Sequence, residues 1–251
     1  MLAETQQLRK TPISSLALEH PGIIDVFRKF RINYASQGKL TFNEACRRAG
    51  ADEISVLIAM QEAANNEMQV PLRTQDWSLE LIHVFIVQNH HRYVRRVGPE
   101  LLQILAEMEL AHNIRHADLT SVRLELERFL NALEDHMRRE ELVIFPAIQW
   151  LVQQQRAGAS RITSVGFRLG YSVKRMETEH DDAVENFDRI RALACDFEAP
   201  AWCGPSYSAL MQRLRELEAD LHTHMHLENN VLFPKALALE ASLLHEAELT
   251  F

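Results

Sequence analysis

The sequence predicts an all-α protein, with a small helical N-terminal part ahead of an up-down four-helix bundle. Three observations carry this expectation. Glycine and proline are scarce, at eight each in 251 residues, while Leu, Ala, Glu, Arg and Met dominate, a composition that favours helix. Four long stretches, joined by short loops, place apolar residues three and four apart, the spacing of one buried helix face. One string also occurs twice. His136-Met137-Arg138-Arg139-Glu140 and His224-Met225-His226-Leu227-Glu228 are each followed at the same offset by Phe-Pro, as Phe145-Pro146 and Phe233-Pro234.

Residues 11–66 read as short helical pieces that need each other or the main body for stability. Ser14 or Ser15 is the expected cap of the first, ahead of Leu16, Leu18, Ile23, Ile24 and Phe27. Thr41-Phe42-Asn43-Glu44 is a capping box for the next, and Asp52 caps a third carrying Ile54, Leu57, Ile58 and Met60. Residues 69–75 read as a linker, which places a domain boundary between 1–75 and 76–251. The first long helix is expected over about 78–112, with Gly98-Pro99 as a kink or boundary. The second covers about 119–155 and ends at Gly158-Ala159-Ser160. The third covers about 162–195. The fourth starts with Ser206 as N-cap and ends near Glu240. Helices of ~30 residues span roughly 45 Å, and four of them suit a bundle.

Each bundle helix puts one histidine into its apolar stripe. His90 shares a face with Val87, Val94, Val97 and Leu101. His136 lies with Phe129, Leu133, Glu140 and Val143. His180 lies with Val173, Met176, Val184 and Phe187, and His224 with Leu217, Leu221, Glu228 and Val231. His90 to His136 spans 46 residues and His180 to His224 spans 44, so the bundle reads as two copies of one helical hairpin. Buried as an apolar core, four imidazoles and two carboxylates would cost ~1–3 kcal/mol or more each. Gathered at one level, they suit two metal ions, with two histidines per ion and Glu140 and Glu228 bridging. Imidazole and carboxylate together fit iron, manganese or zinc. An oxo or hydroxo bridge would give each ion a fifth donor and leave one position open, and the excess positive charge favours an anionic or strongly polarised small ligand. Glu179, beside His180, is a candidate proton carrier or alternative ligand. His83 reads as an indirect donor or a rim residue, and His91, about 100° from His90, as peripheral. His222 and His226 read as off-axis; His20, His112, His116 and His245 read as surface residues.

The remaining features exclude more than they assign. A net charge of −8 argues against nucleic acid as partner. The N-terminal residues lack a signal-peptide core, and no apolar run reaches membrane-spanning length. Cys46, Cys195 and Cys203 form neither a disulfide framework nor a zinc spacing, so a reducing cytoplasm is expected.

These strings resemble the repair-of-iron-centres family, the YtfE/ScdA type of di-iron protein. The resemblance rests on His136-Met137 through Glu140-Glu141 to Phe145-Pro146, on Met176-Glu177-Thr178-Glu179-His180-Asp181, on Leu227 through Pro234, and on Val26-Phe27-Arg28-Lys29-Phe30 to Tyr34. It spans about residues 12–238. It implies a hemerythrin-like four-helix bundle behind a small helical N-terminal domain. It also implies a non-haem di-iron centre on His90, His136, Glu140, His180, His224 and Glu228. The role implied is defence against nitrosative and oxidative stress, by repair of damaged iron–sulfur clusters through supply of iron. The implied partners are a cluster scaffold or a damaged cluster protein. Reduction of nitric oxide to nitrous oxide at the site, or sensing of oxygen or nitric oxide, stand as alternatives. The oligomeric state is open, a homodimer included. One departure is plain: Ala35 and Ser36 stand where the family usually carries a Cys-Cys pair, so a family function that needs those thiolates is put in question here.

Overall fold

The computed structural model describes residues 7–20, 22–65, 74–111, 118–158 and 168–248. The described helices are α1 (Ile13–Glu19), α2 (Ile23–Lys29), α3 (Phe42–Ala49), α4 (Glu53–Asn65), α5 (Leu79–Phe85), α6 (Arg92–Ala111), α7 (Leu119–Arg139), α8 (Phe145–Arg156), α9 (Leu169–Leu193), α10 (Gly204–Leu227) and α11 (Phe233–Glu248). Three π-helical turns, Ile86–His91, Glu140–Ile144 and Glu228–Leu232, join α5 to α6, α7 to α8 and α10 to α11. Beyond one isolated bridge between Pro12 and Thr41, no strand occurs among the described residues, and the fold is all-α. The linker reading of 69–73, the start of the third long helix at 162, and His112 and His116 lie outside the described residues. The chain divides into two compact units, one of residues 1–82 with 222–235, the other of 83–221 with 236–251.

The first unit packs α1 to α4 around Ile13, Leu16, Phe27, Tyr34, Phe42, Val56 and Met60. The expected capping box is present, with Glu44 N–H donating to Thr41 Oγ1 and Thr41 N–H to Glu44 Oε2. Asp52 accepts from Ser55 N–H as expected. Ser14 and Ser15 do not cap α1, which already begins at Ile13. Their service is supplied by backbone: Ile13 N–H donates to Leu40 O and Ser14 N–H to Gly38 O. Helix ends need acceptors for their first N–H groups, and a neighbouring loop serves as well as a side chain. Gly38 is required there by space. A Cβ on it would fall on the Asn230 side-chain oxygen and 2.8 Å from Ser14 Cβ. Gly38→Ala is therefore expected to destabilise by about 1–3 kcal/mol, read as a lower urea midpoint at unchanged slope.

The second unit is the bundle. Arg95 pairs with Glu134 and Arg123 with Glu109, so α6 and α7 run antiparallel. The edge-to-face pair Phe129–Phe187 (5.1 Å between ring centres) and the bond from His136 to Glu179 set α9 antiparallel to α7. The half-buried pair Arg191–Glu218 and the bond from Arg215 to Phe197 O, just past α9, set α10 antiparallel to α9, and Arg213–Glu100 with His90–Asp220 set it antiparallel to α6. The order is up-down-up-down, as the short loops require.

Three sequence expectations shift. Pro99 sits inside a continuous α6, and Gly98 lets the Leu130 side chain lie where a Cβ would be. Ser206 lies in the first turn of α10, which begins at Gly204, whose φ of 79° suits only glycine well. The last helical run continues past Glu240 to Glu248. The irregularities fall instead at the π-helical turns. Two of them immediately precede Phe145-Pro146 and Phe233-Pro234. A proline has no N–H to give to the carbonyl four residues back, so the ladder opens there, and a π turn accommodates the gap.

Candidate metal centre

The first π-helical turn decides which histidine faces the bundle core. Projecting the buried stripe of α6 (Val94, Val97, Leu101) backwards with a 3.6-residue period selects His90. The π turn at Ile86–His91 inserts one extra residue and rotates the ladder by about 100°. His91 therefore takes the place expected of His90 and is fully buried. His90 is buried too, but its Nδ1 lies 2.8 Å from Asp220 Oδ1 and its ring meets the edge of Phe85. The sequence signal for His91 was present only as a second histidine beside the first.

In the bundle unit four side chains converge. His136 Nε2 lies 3.0 Å from Glu140 Oε1 and 3.0 Å from His180 Nε2, and His91 Nε2 lies 3.3 Å from Glu140 Oε2. His180 Nε2 is 4.0 Å from Glu140 Oε1. Donor atoms of His136, Glu140 and His180 thus lie within 4.8 Å of one another. In the other unit, His224 Nε2 lies 3.1 Å from Glu228 Oε1, and both residues are buried to 1% exposure or less. Of the six residues expected from the sequence, His136, Glu140 and His180 come together, His224 and Glu228 come together, and His90 is turned to Asp220.

The chemistry of these donors fits a cation. His136 Nδ1 lies 2.8 Å from Glu179 Oε2. An ionised carboxylate only accepts, so Nδ1 carries the proton and the lone pair of the neutral ring sits on Nε2. His91 is set the same way by Glu141, 2.7 Å from its Nδ1. Lone pairs aimed at a buried carboxylate repel it, and a cation among them turns that repulsion into coordination. The spacing agrees. With bonds of about 2.1 Å, neighbouring donors stand ~3.0 Å apart at right angles and ~3.4 Å apart in a tetrahedron. The 3.0–3.3 Å pairs fall in the range that donors sharing one ion take.

Glu179 is committed to its neighbours. Besides His136 it accepts from Arg139 Nη2 at 2.8 Å and Arg175 Nε at 3.0 Å. Burial acts to raise its pKa, but the hydrogen bonds from His136, Arg139 and Arg175 outweigh this and hold it near 2. It stays ionised at neutral pH, which suits holding His136 better than exchanging protons. His83 is buried at the bundle's edge, where Gln149 Nε2 donates to its Nε2.

The segment that lacks the cysteine pair packs on the 222–235 stretch of its own unit. Ala35 is fully buried and its carbonyl accepts from the side-chain amides of Asn229 and Asn230, each at 3.2 Å. Ser36 bonds with Asn33. The Tyr34 ring lies 5.2 Å from that of His226, and burial pushes the Tyr34 phenol up to about 12. His226 is also buried, which lowers its pKa to about 4. Cys46 gives no substitute thiolate: it is buried, which together with Glu53 and Asp52 raises its pKa to about 11.

Two successive segments, residues 83–165 and 169–247, match the hemerythrin HHE cation-binding domain, so fold and donor set define a hemerythrin-like cation-binding protein. The chain is similar along nearly its whole length to the iron-sulfur cluster repair protein YtfE of several bacteria. It is 31% identical to that of Musicola paradisiaca (strain Ech703) over 237 residues, 93% of this chain and 99% of the relative. It is 32% identical to that of Enterobacter sp. (strain 638) over 236 residues, 92% of this chain and 99% of the relative. This chain belongs to the hemerythrin-like repair-of-iron-centres family of the YtfE type. No described helix is long and apolar enough to cross a membrane.

Proposed function

We propose that this protein holds two iron ions and repairs damaged iron–sulfur clusters by supplying iron to them. The proposed ligands are His91, His136, Glu140, His180, His224 and Glu228. His91, His136, Glu140 and His180 would hold metal in the bundle unit, and His224 with Glu228 would supply the matching donors of the repeat. The observation that carries the reading is the buried crossing of His91, His136 and His180 on one carboxylate, with two of the rings fixed to present Nε2. The internal repeat supports the matching part for His224 and Glu228. Mixed imidazole and carboxylate donors suit iron.

The residues' own work is to bind, orient and exclude water. Glu179 holds His136 with Nε2 inward, and the stripe of Phe129, Leu133 and Met176 keeps the bundle interior dry. Bound iron supplies redox and Lewis-acid chemistry, and in cluster repair it is also the cargo. The residues from 76 onward carry the metal in this reading, and the N-terminal part works without a thiolate pair. We place the protein in the bacterial cytoplasm, with a damaged cluster protein or a scaffold as partner.

The test uses protein loaded anaerobically with ferrous iron and a hydro-lyase whose [4Fe–4S] cluster has lost one iron. Activity of the hydro-lyase is expected to return as iron leaves the donor. Iron retained on the donor, with the hydro-lyase inactive yet restorable by free ferrous iron, would overturn the role.

A further inference from the structure

We infer that Glu141, clamped by Arg95, is a positioning residue that fixes His91 as an Nε2 ligand, so that retention of one of the two ions depends on an ion-pair network near the protein surface. The inference rests on the metal reading proposed above and concerns the control of one half of that site.

Glu141 follows Glu140 at the start of the second π-helical turn. Neighbours on a helix point about 100° apart, so Glu140 faces inward and Glu141 faces the flank of α6. There its Oε1 accepts from two donors, His91 Nδ1 at 2.7 Å and Arg95 Nη1 at 2.8 Å. Arg95 stands one turn from His91 on the same strip of helix. Its other edge is held by Glu134, through Nε at 2.9 Å and Nη2 at 3.2 Å. Two carboxylates on α7 and its continuation thus grip one guanidinium, and one of them grips the histidine.

Three consequences follow from this geometry. The bond to Glu141 makes His91 Nδ1 a donor, which leaves Nε2 to face Glu140 at 3.3 Å. The stacking of His91 on Phe145, with ring planes 20° apart, fixes the tilt of the ring but not which nitrogen carries the proton. The bond to Glu141 decides that. Burial works against the charge of Glu141, but the hydrogen bonds from Arg95 and His91 prevail and keep it ionised below the ordinary carboxylate range. The network is not sealed: the side chains of Arg95 and Glu141 are 35% and 28% exposed. The equivalent clamp on His136 differs, because Glu179 there receives two arginines rather than one. The two halves of the site are therefore held by separate networks of different composition.

Glu141→Leu removes the acceptor while keeping bulk, and Arg95→Met loosens it without touching His91. Cobalt(II) is titrated anaerobically into metal-free full-length protein and followed by calorimetry and by the visible ligand-field spectrum. Wild type is expected to take up two ions. Glu141→Leu should bind one of them ~10–100-fold more weakly and leave the other unchanged, as loss of a partner behind a metal-bound histidine does. Arg95→Met should show a smaller loss at the same ion. Glu141→Asp should restore binding in part, and Arg128→Met, an exposed change, should alter nothing. A general structural defect would weaken both ions together and lower the melting temperature of the apo protein. If Glu141→Leu fails to fold, Arg95→Met decides alone. Two ions bound with wild-type affinity by these variants overturns the inference and leaves the metal reading standing. A wild type that binds no ion overturns the metal reading itself.

Discussion

On the two-ion reading proposed above, His91→Ala is expected to cost one of the ions, while His90→Ala keeps both. The two residues are adjacent and both buried, so composition, exposure and position along the chain do not distinguish them. The π-helical turn does. It turns His91 Nε2 to Glu140 and His90 Nδ1 to Asp220. Removing a direct ligand should weaken one ion by more than the ~10–100-fold that loss of an indirect partner costs. His90→Ala should instead act on stability. It strands the Asp220 carboxylate, at a cost of about 1–3 kcal/mol, or a fall of several degrees in melting temperature. Metal analysis of both variants after the same anaerobic loading checks the pair. Full metal content in His91→Ala with loss in His90→Ala would restore the assignment read from helical periodicity.

The second large effect is expected from Glu140. Its two oxygens face different histidines, Oε1 toward His136 and His180 and Oε2 toward His91. Glu140→Gln replaces one oxygen by an amide nitrogen that cannot ligate and removes the charge that the two proposed ions would share. Both should be lost, with metal content near zero at equimolar loading. The variant then forfeits ligand stabilisation. For a wild type held at a hundredfold excess over its Kd, that is about 2.7 kcal/mol per ion, so metal should no longer raise its melting temperature. The apo variant is expected to be at least as stable as apo wild type, because an amide is cheaper to bury than a carboxylate. The comparison of melting curves with and without ferrous iron separates the two contributions.

Much of this was legible in the chain. Thr41 with Glu44 and Asp52 with Ser55 form local caps, made within one turn, and such contacts need no tertiary information. His136 with Glu140 and His224 with Glu228 are four residues apart, so the helix alone brings each pair within 3.1 Å or less. Three features were not legible. Ser14 is displaced as a cap because Leu40 and Gly38, over twenty residues away, present their carbonyls to the start of α1. His91 displaces His90 because a reading at a fixed period cannot register an inserted residue. The surroundings of Glu179 were hidden for a third reason. Its neighbour His180 suggested reactivity, but Arg139 comes from another helix to join Arg175 and His136 in holding it ionised.

Period, composition and the repeated His-Met-x-x-Glu string determined the helical class, the duplicated hairpin and the kinds of donor, because these follow from spacing within single helices. Tertiary structure decided which histidine of an adjacent pair points inward, which ring nitrogen is presented, and which carboxylates hold a histidine ring. Those choices rest on a change of helical pitch and on partners up to 130 residues away, as Asp220 is from His90, and neither is encoded in local spacing.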